Sequence, residues 1–228
     1  MGITIIIIWI LATLVVGSLA GVLGKRYGVE YPIALMAALV VMANIFANKI
    51  VVFGPFTVPA GVIVFSMTFF ITDLLSEKWG KKYAHKAVWA GFFSSLVLLI
   101  SVYIVVNWQA APFATEMGEM FAKVLALTPR ITLAGFAAYI VSQNHDIWAF
   151  HFWKKKTKGK HLWFRNNAST IVSQLIDSVI FIAIAFYGIF PIIPLILGQW
   201  VVKIIIALMD TPFMYGAIWL MDKVKAKN

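Results

Sequence analysis

Residues 3–23 read ITIIIIWILATLVVGSLAGVL, twenty-one positions without one charged side chain. About 20 predominantly apolar residues suffice for an α-helix to cross the hydrocarbon layer of a bilayer. No water is available there to satisfy the backbone, so a spanning segment must close its hydrogen bonds internally, as a helix does. The pattern recurs. Apolar segments at roughly 33–53, 58–76, 84–106, 129–152, 167–188 and 193–219 follow the first, and together they predict about seven transmembrane helices. Alternating ten-residue strands of a membrane barrel do not occur. The fold class is therefore an all-α membrane protein, read as a single transmembrane domain over 1–228 with no linker long enough to divide it. The first segment has no basic stretch ahead of it and is long for a signal-peptide core, so it reads as a retained helix.

Composition agrees. Hydrophobic residues make up 62% of the 228 and charged residues 12%, and the mean hydropathy is +0.91. Soluble domains are roughly 45–50% apolar and about 25% charged. The net charge of +10 would point to nucleic acid in a soluble chain, but in a membrane protein basic loops set orientation, and nucleic acid is not an expected partner. Fifteen of the nineteen Lys and Arg residues fall in alternate loops. Lys25 and Arg26 follow the first segment, Lys78, Lys81, Lys82 and Lys86 the third, and Lys154 to Arg165 the fifth, while Lys223, Lys225 and Lys227 form the tail. The positive-inside rule then predicts an external N-terminus and a cytoplasmic C-terminus in the cytoplasmic (inner) membrane. The 107–128 connection, with Pro112, Glu116, Glu119 and a Met/Phe/Leu stripe around Lys123, reads as an external loop with a short interfacial helix.

Enzyme chemistry finds no support. The chain has no cysteine, and it lacks Gly-x-Ser-x-Gly, His-Glu-x-x-His and any phosphate loop. No metal site or cofactor is expected, and any ATP use would require a separate chain. His145 and His151, six residues apart, fall on nearly opposite sides of a helix and suit packing better than a shared metal. A retinal protein also has seven helices and a lysine in the last, but its counter-ion carboxylate stands in an Arg-rich motif of the third helix. Here that helix has Asp73 and no transmembrane Arg.

Polar residues within the apolar segments carry the functional signal, because ionisable groups there are costly. The fifth and sixth segments share a repeat: Ile140-Val141-Ser142-Gln143-x-x-Asp146 and Ile171-Val172-Ser173-Gln174-x-x-Asp177. Gln and Asp at i and i+3 share a helix face, so each copy presents an amide beside a carboxylate. The two helices run in opposite directions, so Asp146 falls toward the cytoplasmic side and Asp177 near or outside the midplane. Asp177 lies at the depth of Lys203, its expected partner. Asn48, Gln174, Asp177, Gln199 and Lys203, with Asn44 and Gln143, form the candidate substrate site, and Trp200 and Phe181 lie near enough to stack. An amide, a carboxylate and an aromatic wall suit a planar, hydrogen-bonding ring. Asp73, Asp146 and Asp210, near the cytoplasmic ends, are expected to pair with Arg165, Lys78 or Lys82 in a structural or gating role. Ala34, Ala38, Ala43 and Ala47 put small residues on one stripe of the second helix, which suits close packing.

These residues resemble a known family, the queuosine precursor transporters, also grouped with the vitamin uptake transporters. The stretch Asn44 to Lys49, Thr72-Asp73 through Glu77-Lys78-Trp79-Gly80, and Ser142-Gln143-x-x-Asp146 are similar to its motifs. So are Arg165-Asn166-Asn167 through Asp177, Lys203, and Asp210-Thr211-Pro212 with Tyr215. His145 stands where the family usually carries an apolar residue. The resemblance covers about 33–220, leaving 1–30 as an extra N-terminal helix. It implies uptake of 7-deazaguanine bases, the cyano or aminomethyl precursors of queuosine. It also implies a six-helix core similar to the substrate-binding components of energy-coupling-factor transporters. Asp73, Glu77, Asp146, Arg165, Asn167 and Asp210 would then make up a gating or structural polar network. The lipid bilayer and a small-molecule base are the expected partners, and a separate energising module or a second copy stays open. Transport of another heterocycle or vitamin, and a non-transport receptor or scaffold, are the alternatives.

Overall fold

In the computed structural model, which describes residues 3–224, the apolar segments become helices. They are α1 (Ile3–Tyr27), α2 (Glu30–Phe46), α3 (Val62–Lys78), α4 (Lys81–Asn107), α5 (Thr115–Leu125), α6 (Thr128–Lys156), α7 (Leu162–Phe186) and α8 (Ile192–Lys223). Lys225 and Lys227, two of the three tail lysines used for orientation, lie outside the described residues. By length and composition five stretches could cross a membrane: α1, α4, the run from Pro112 that contains α6, α7 and α8. The shorter α2 is also apolar.

One expectation is corrected. Residues 33–53 are not helical throughout: α2 stops at Phe46, and β1 (Ile50–Phe53) pairs antiparallel with β2 (Phe56–Pro59). The third helix accordingly starts at Val62 rather than near 58. The cause is local. Ile50-Val51-Val52 is a β-branched run, and Gly54, at φ 58°, opens a two-residue turn with Pro55 between the partners Phe53 and Phe56. The hairpin lies on α8, where Gly198 admits it: a Cβ there would come within 2.8 Å of the Thr57 carbonyl. The alanine stripe of α2 is corrected too, since Ala43 and Ala47 are buried whereas Ala34 and Ala38, on the opposite side, are exposed.

α3 is the hub. Fourteen consecutive-turn positions from Val62 to Ser76 are buried, and it packs against α1, α2, α4, α6 and α8. A helix apolar around its whole circumference belongs inside a bundle. The outer helices instead expose broad apolar faces, with Ile8, Val97, Val172 and Leu208 among them, as a lipid-facing perimeter does. α6 and α7 form the most extensive helix pair, an antiparallel hairpin joined through the lysine-rich turn at 157–161. At its far end Arg130 of α6 donates to the carbonyls of Ile184 (2.8 Å) and Tyr187 (2.7 Å), satisfying groups that the end of α7 leaves free. The bundle therefore has a hairpin end and a lysine end. α5 follows a single 3-10 turn at Pro112–Ala114 and leaves Met117, Phe121 and Val124 exposed on one face.

Candidate functional site

A narrow pocket with about 30 Å³ of free space opens beneath the hairpin end. Small-molecule sites run from about 300 to 1,000 Å³, so a ligand could enter this one only as its walls move apart. α2 contributes Asn44, α7 contributes Asp177 and Phe181, and α8 contributes Gln199 and Lys203. Phe65 of α3 and Gly135 of α6 also line it, with small apolar residues such as Ala43 and Val62 filling the rest of the wall. Four of the expected substrate residues thus meet in one place.

Asp177 and Lys203 form an ion pair, 3% and 1% exposed at their side chains, so neither charge is left to the low-dielectric interior alone. Asp177 also accepts from Ser142 of α6 at 3.2 Å. Lys203 lies over the Phe65 ring, 5.0 Å from its centre, a geometry in which an ammonium is attracted to the π-face. Gln199 donates to Ser178 at 3.3 Å. Asn44 donates to the Val40 carbonyl (3.0 Å) and to Ser95 (3.3 Å), so its carbonyl oxygen is what it can offer a ligand. The pocket combines carboxylate and carbonyl acceptors, an ammonium donor and two phenylalanine rings.

Other expected residues stand elsewhere. Asn48 donates to Thr128 at 2.8 Å and does not line the pocket. Gln143 spends its amide on α3, donating to Thr68 (2.8 Å) and accepting from Thr72 (3.2 Å). Gln174 is buried between the pocket and the lysine end with neither amide atom bonded. Trp200 does not face the pocket either; its indole donates to the Ile171 carbonyl at 3.1 Å.

The expected pairing of Asp73, Asp146 and Asp210 with basic residues is also corrected. Arg165 pairs instead with Glu77 at 2.8 Å, Lys154 joins the same Glu77 at 2.8 Å, and Lys78 pairs with Asp222 at 2.5 Å. Among the described residues no salt bridge reaches the three aspartates. They cluster with one another: Thr170 lies 3.3 Å from Asp73 and 3.4 Å from Asp146, and Asn166 donates to Asp210 at 3.0 Å. Asn167 donates to Thr211 at 2.8 Å, tying α7 to α8. Arg165 is drawn away because it starts α7 beside the end of α3, where Glu77 meets it and the Gly159 carbonyl accepts a second bond at 2.7 Å.

The sequence repeat has a structural counterpart. Ser142 of the first copy donates to Asp177 of the second, and Ser173 of the second lies against Asp146 of the first. Antiparallel helices make such reciprocal contacts about a local two-fold axis, and here the axis places one carboxylate toward each end. Sequence alone does not pick out Phe65, Gly135 or Thr170, and it marks Ser142 and Asn166 only within motifs, without their partners. Asn166, Thr170, Gln174 and Asp177 do follow one helical stripe of α7, a spacing that could have marked the first two.

An apolar helical bundle of this kind is a multi-pass membrane protein, here with a buried, charged pocket under one end. Residues 59–217 match the family described as "Putative vitamin uptake transporter", and the chain belongs to that family. It is 32% identical over 182 residues to the "Probable queuosine precursor transporter" of Bacillus subtilis (strain 168), covering 78% of this chain and 79% of that protein. The "Queuosine precursor transporter" of Escherichia coli (strain K12) is 23% identical over 167 residues, covering 72% and 71%. A third relative, the "Probable queuosine precursor transporter" of Haemophilus influenzae, is 28% identical over 127 residues, 56% of this chain and 51% of its own. No solved structure matches the chain significantly.

Proposed function

We propose that the chain carries 7-deazaguanine precursors of queuosine, the cyano or the aminomethyl base, into the cytoplasm through the pocket at the hairpin end. The observation that carries this reading is the joint presence in one buried pocket of Asp177, Lys203, Gln199, Asn44 and two phenylalanines. A guanine-like edge has a ring N–H beside an exocyclic amine, and one carboxylate can accept from both. Its carbonyl can take a proton donor such as Lys203 or Gln199, and its plane can lie against Phe65 or Phe181. The names of the relatives support the same substrate class.

The reading includes a topology: seven crossings by α1 to α4 and α6 to α8, hairpin end outside, lysine end in the cytoplasm, α5 along the external interface. The core after α1 would share the arrangement of energy-coupling-factor substrate-binding components. Cells lacking both synthesis and uptake of the precursor, fed 7-cyano-7-deazaguanine, should regain queuosine in tRNA when they express this protein. Expression at the membrane without any return of the modified nucleoside would sink the substrate assignment. A reporter fused after Asn228 should be active only on the cytoplasmic side.

A further inference from the structure

The lysine end poses a charge problem that the pocket does not. Asp73, Asp146 and Asp210 come from three helices, are at most 2% exposed, and have no cation in salt-bridge contact among the described residues. The Thr170 hydroxyl stands between Asp73 and Asp146 with one proton to give, and Ser169 and Ser173, which also lie against Asp146, donate instead to the carbonyls of Asn166 and Ser169. Oxygens are left over: Asp73 Oδ1 and Asp146 Oδ2 have no hydrogen-bond partner. Nor do two oxygens beyond the acids themselves, Asn166 Oδ1 and Ser76 Oγ. Asn166 is 1% exposed and holds Asp210 through its amide nitrogen, and its carbonyl oxygen is left buried without a partner. Ser76 is 1% exposed and lies one helical turn from Asp73. Asp73 Oδ1, Asp146 Oδ2 and Asn166 Oδ1 can only accept, and Ser76, which could donate, has no partner, so the cluster is short of protons.

A buried carboxylate with neither cation nor sufficient donors is strongly disfavoured in a low-dielectric interior. A metal ion is the other way to supply positive charge, but among the described residues no three acidic or histidine side chains converge as ligands. The charged groups nearby are otherwise engaged. Glu77 of α3 is held by Arg165 of α7 and Lys154 of α6, and Lys203 of α8 is held by Asp177 of α7. His145 of α6 contacts Ser173 at 2.9 Å, and Lys81 and His85 of α4 gather with His151.

We propose that the Asp73–Asp146 pair, with Asp210, is a proton-binding site coupled to occupancy of the pocket, so that the protein carries protons together with its substrate. This rests on the transport reading above. The coupling runs through α6 and α7. Asp146 lies one turn from Ser142, which holds Asp177, and Thr170 lies two turns from Asp177 on the same stripe. Gln174 stands between them with both amide atoms unbonded and 1% exposure, a polar step connecting the two ends. A base that takes Asp177 from Lys203 and Ser142 loosens α6 against α7 at one end, and the same helix pair holds the carboxyls at the other. Protonation is a simple transfer, a proton from water joining a carboxylate to give a carboxylic acid, with release on the opposite side.

Two measurements on the full chain test this. In the first, the infrared spectrum of the purified protein at neutral pH should contain the carbonyl stretch of a buried carboxylic acid, lost in Asp146→Asn. Absence of that band in the wild type overturns the proposal without reference to any substrate. In the second, proteoliposomes take up labelled 7-cyano-7-deazaguanine under an imposed pH gradient. One proton per base across one pH unit sustains about a tenfold concentration ratio, since each factor of ten corresponds to one unit. Asp146→Asn should keep base-for-base exchange and lose the gradient-driven accumulation; Asp73→Asn serves if that variant does not fold. Accumulation that follows sodium, or ignores both gradients while exchange continues, overturns the proposal. If the wild type neither binds nor exchanges the base, the substrate assignment fails, and the infrared result still decides the proton site.

Discussion

The two ends of the α6–α7 hairpin start from the same seven-residue motif and finish with opposite solutions. At the hairpin end Asp177 meets Lys203 and a serine, and a pocket forms around them. At the lysine end Asp146 meets Asp73 and shares one threonine hydroxyl with it, although the lysine-rich turn follows on the same helix. Sequence proximity to basic residues does not neutralise a carboxylate. What matters is which side chain the neighbouring helix turns inward, and α8 turns Lys203 toward one end and Asp210 toward the other. The lysines at the turn belong to water and headgroups, where ammonium groups are best solvated.

The sharpest way to break this contrast is to remove the charge pair at the hairpin end. Lys203→Met leaves Asp177 buried without its cation and should cost about 3–5 kcal/mol in stability, read from thermal unfolding in detergent. Asp177→Asn keeps the shape but replaces an acceptor with a donor. It should weaken base binding about ten- to a hundredfold, the value of a charge-assisted hydrogen bond of about 1.5–3 kcal/mol. The double variant Asp177→Leu/Lys203→Met separates the roles, because it should recover most of the stability and none of the binding. A double variant that binds the base normally would reduce the pair to a structural strut.

Glu77 and Arg165 supply the counter-experiment at the lysine end. Arg165 is 1% exposed and its partner 19%, so the pair is largely dry. Arg165→Met should destabilise by about 3 kcal/mol, the low end for breaking a buried pair, because Lys154 still accompanies Glu77. Affinity for the base in the folded fraction should stay within about twofold of the wild type. A large affinity loss in well-folded Arg165→Met would mean that the two ends cannot be treated separately.

Much of the bundle was legible because length and lack of charge suffice to mark a spanning helix. The hairpin was not. The apolar run 33–53 is interrupted past the end of α2 only by Asn48-Lys49, and hydropathy cannot tell a helix from a strand on the far side of that pair. The β-branched Ile50-Val51-Val52 ahead of Gly54-Pro55 was the available signal. In the site, the stripe on α7 and the depth match of Asp177 with Lys203 could be read from spacing. Phe65 and Gly135 could not, since a search for costly residues in lipid passes over apolar ones. The cation-free aspartate cluster was hidden for another reason: partner choice depends on how three helices rotate about α3, and no periodicity records that.

Gly135 gives a smaller effect confined to the pocket. A Cβ there would sit 2.8 Å from Asn44 Oδ1, so Gly135→Ala must displace the one acceptor that α2 contributes. Overpacking of this kind costs about 1 kcal/mol, and affinity should fall about fivefold with proton coupling unchanged. Calorimetric titration of the purified variant with the base reads the change, and an unaltered affinity would remove Asn44 from the recognition set.

The mildest substitutions probe the two-fold relation itself. Ser142→Ala removes one hydrogen bond to the Asp177 carboxylate, 3.2 Å long and at the low end of the about 1.5–3 kcal/mol that bonds to charged groups carry. Its symmetry mate, Ser173→Ala, removes the hydroxyl beside Asp146 and His145. If the motif acted through sequence alone, both changes should have the same consequence. The structure predicts a split. Ser142→Ala should alter affinity for the base by about two- to tenfold, because the freed lone pair of Asp177 faces the ligand. The direction is informative: weaker binding means that Ser142 orients the carboxylate, whereas tighter binding means that it competes with the base for the same oxygen. Ser173→Ala should leave affinity unchanged and shift instead the pH dependence of transport, because its carboxylate belongs to the proton-poor cluster. Equal effects of the two substitutions on affinity would erase the distinction between the ends.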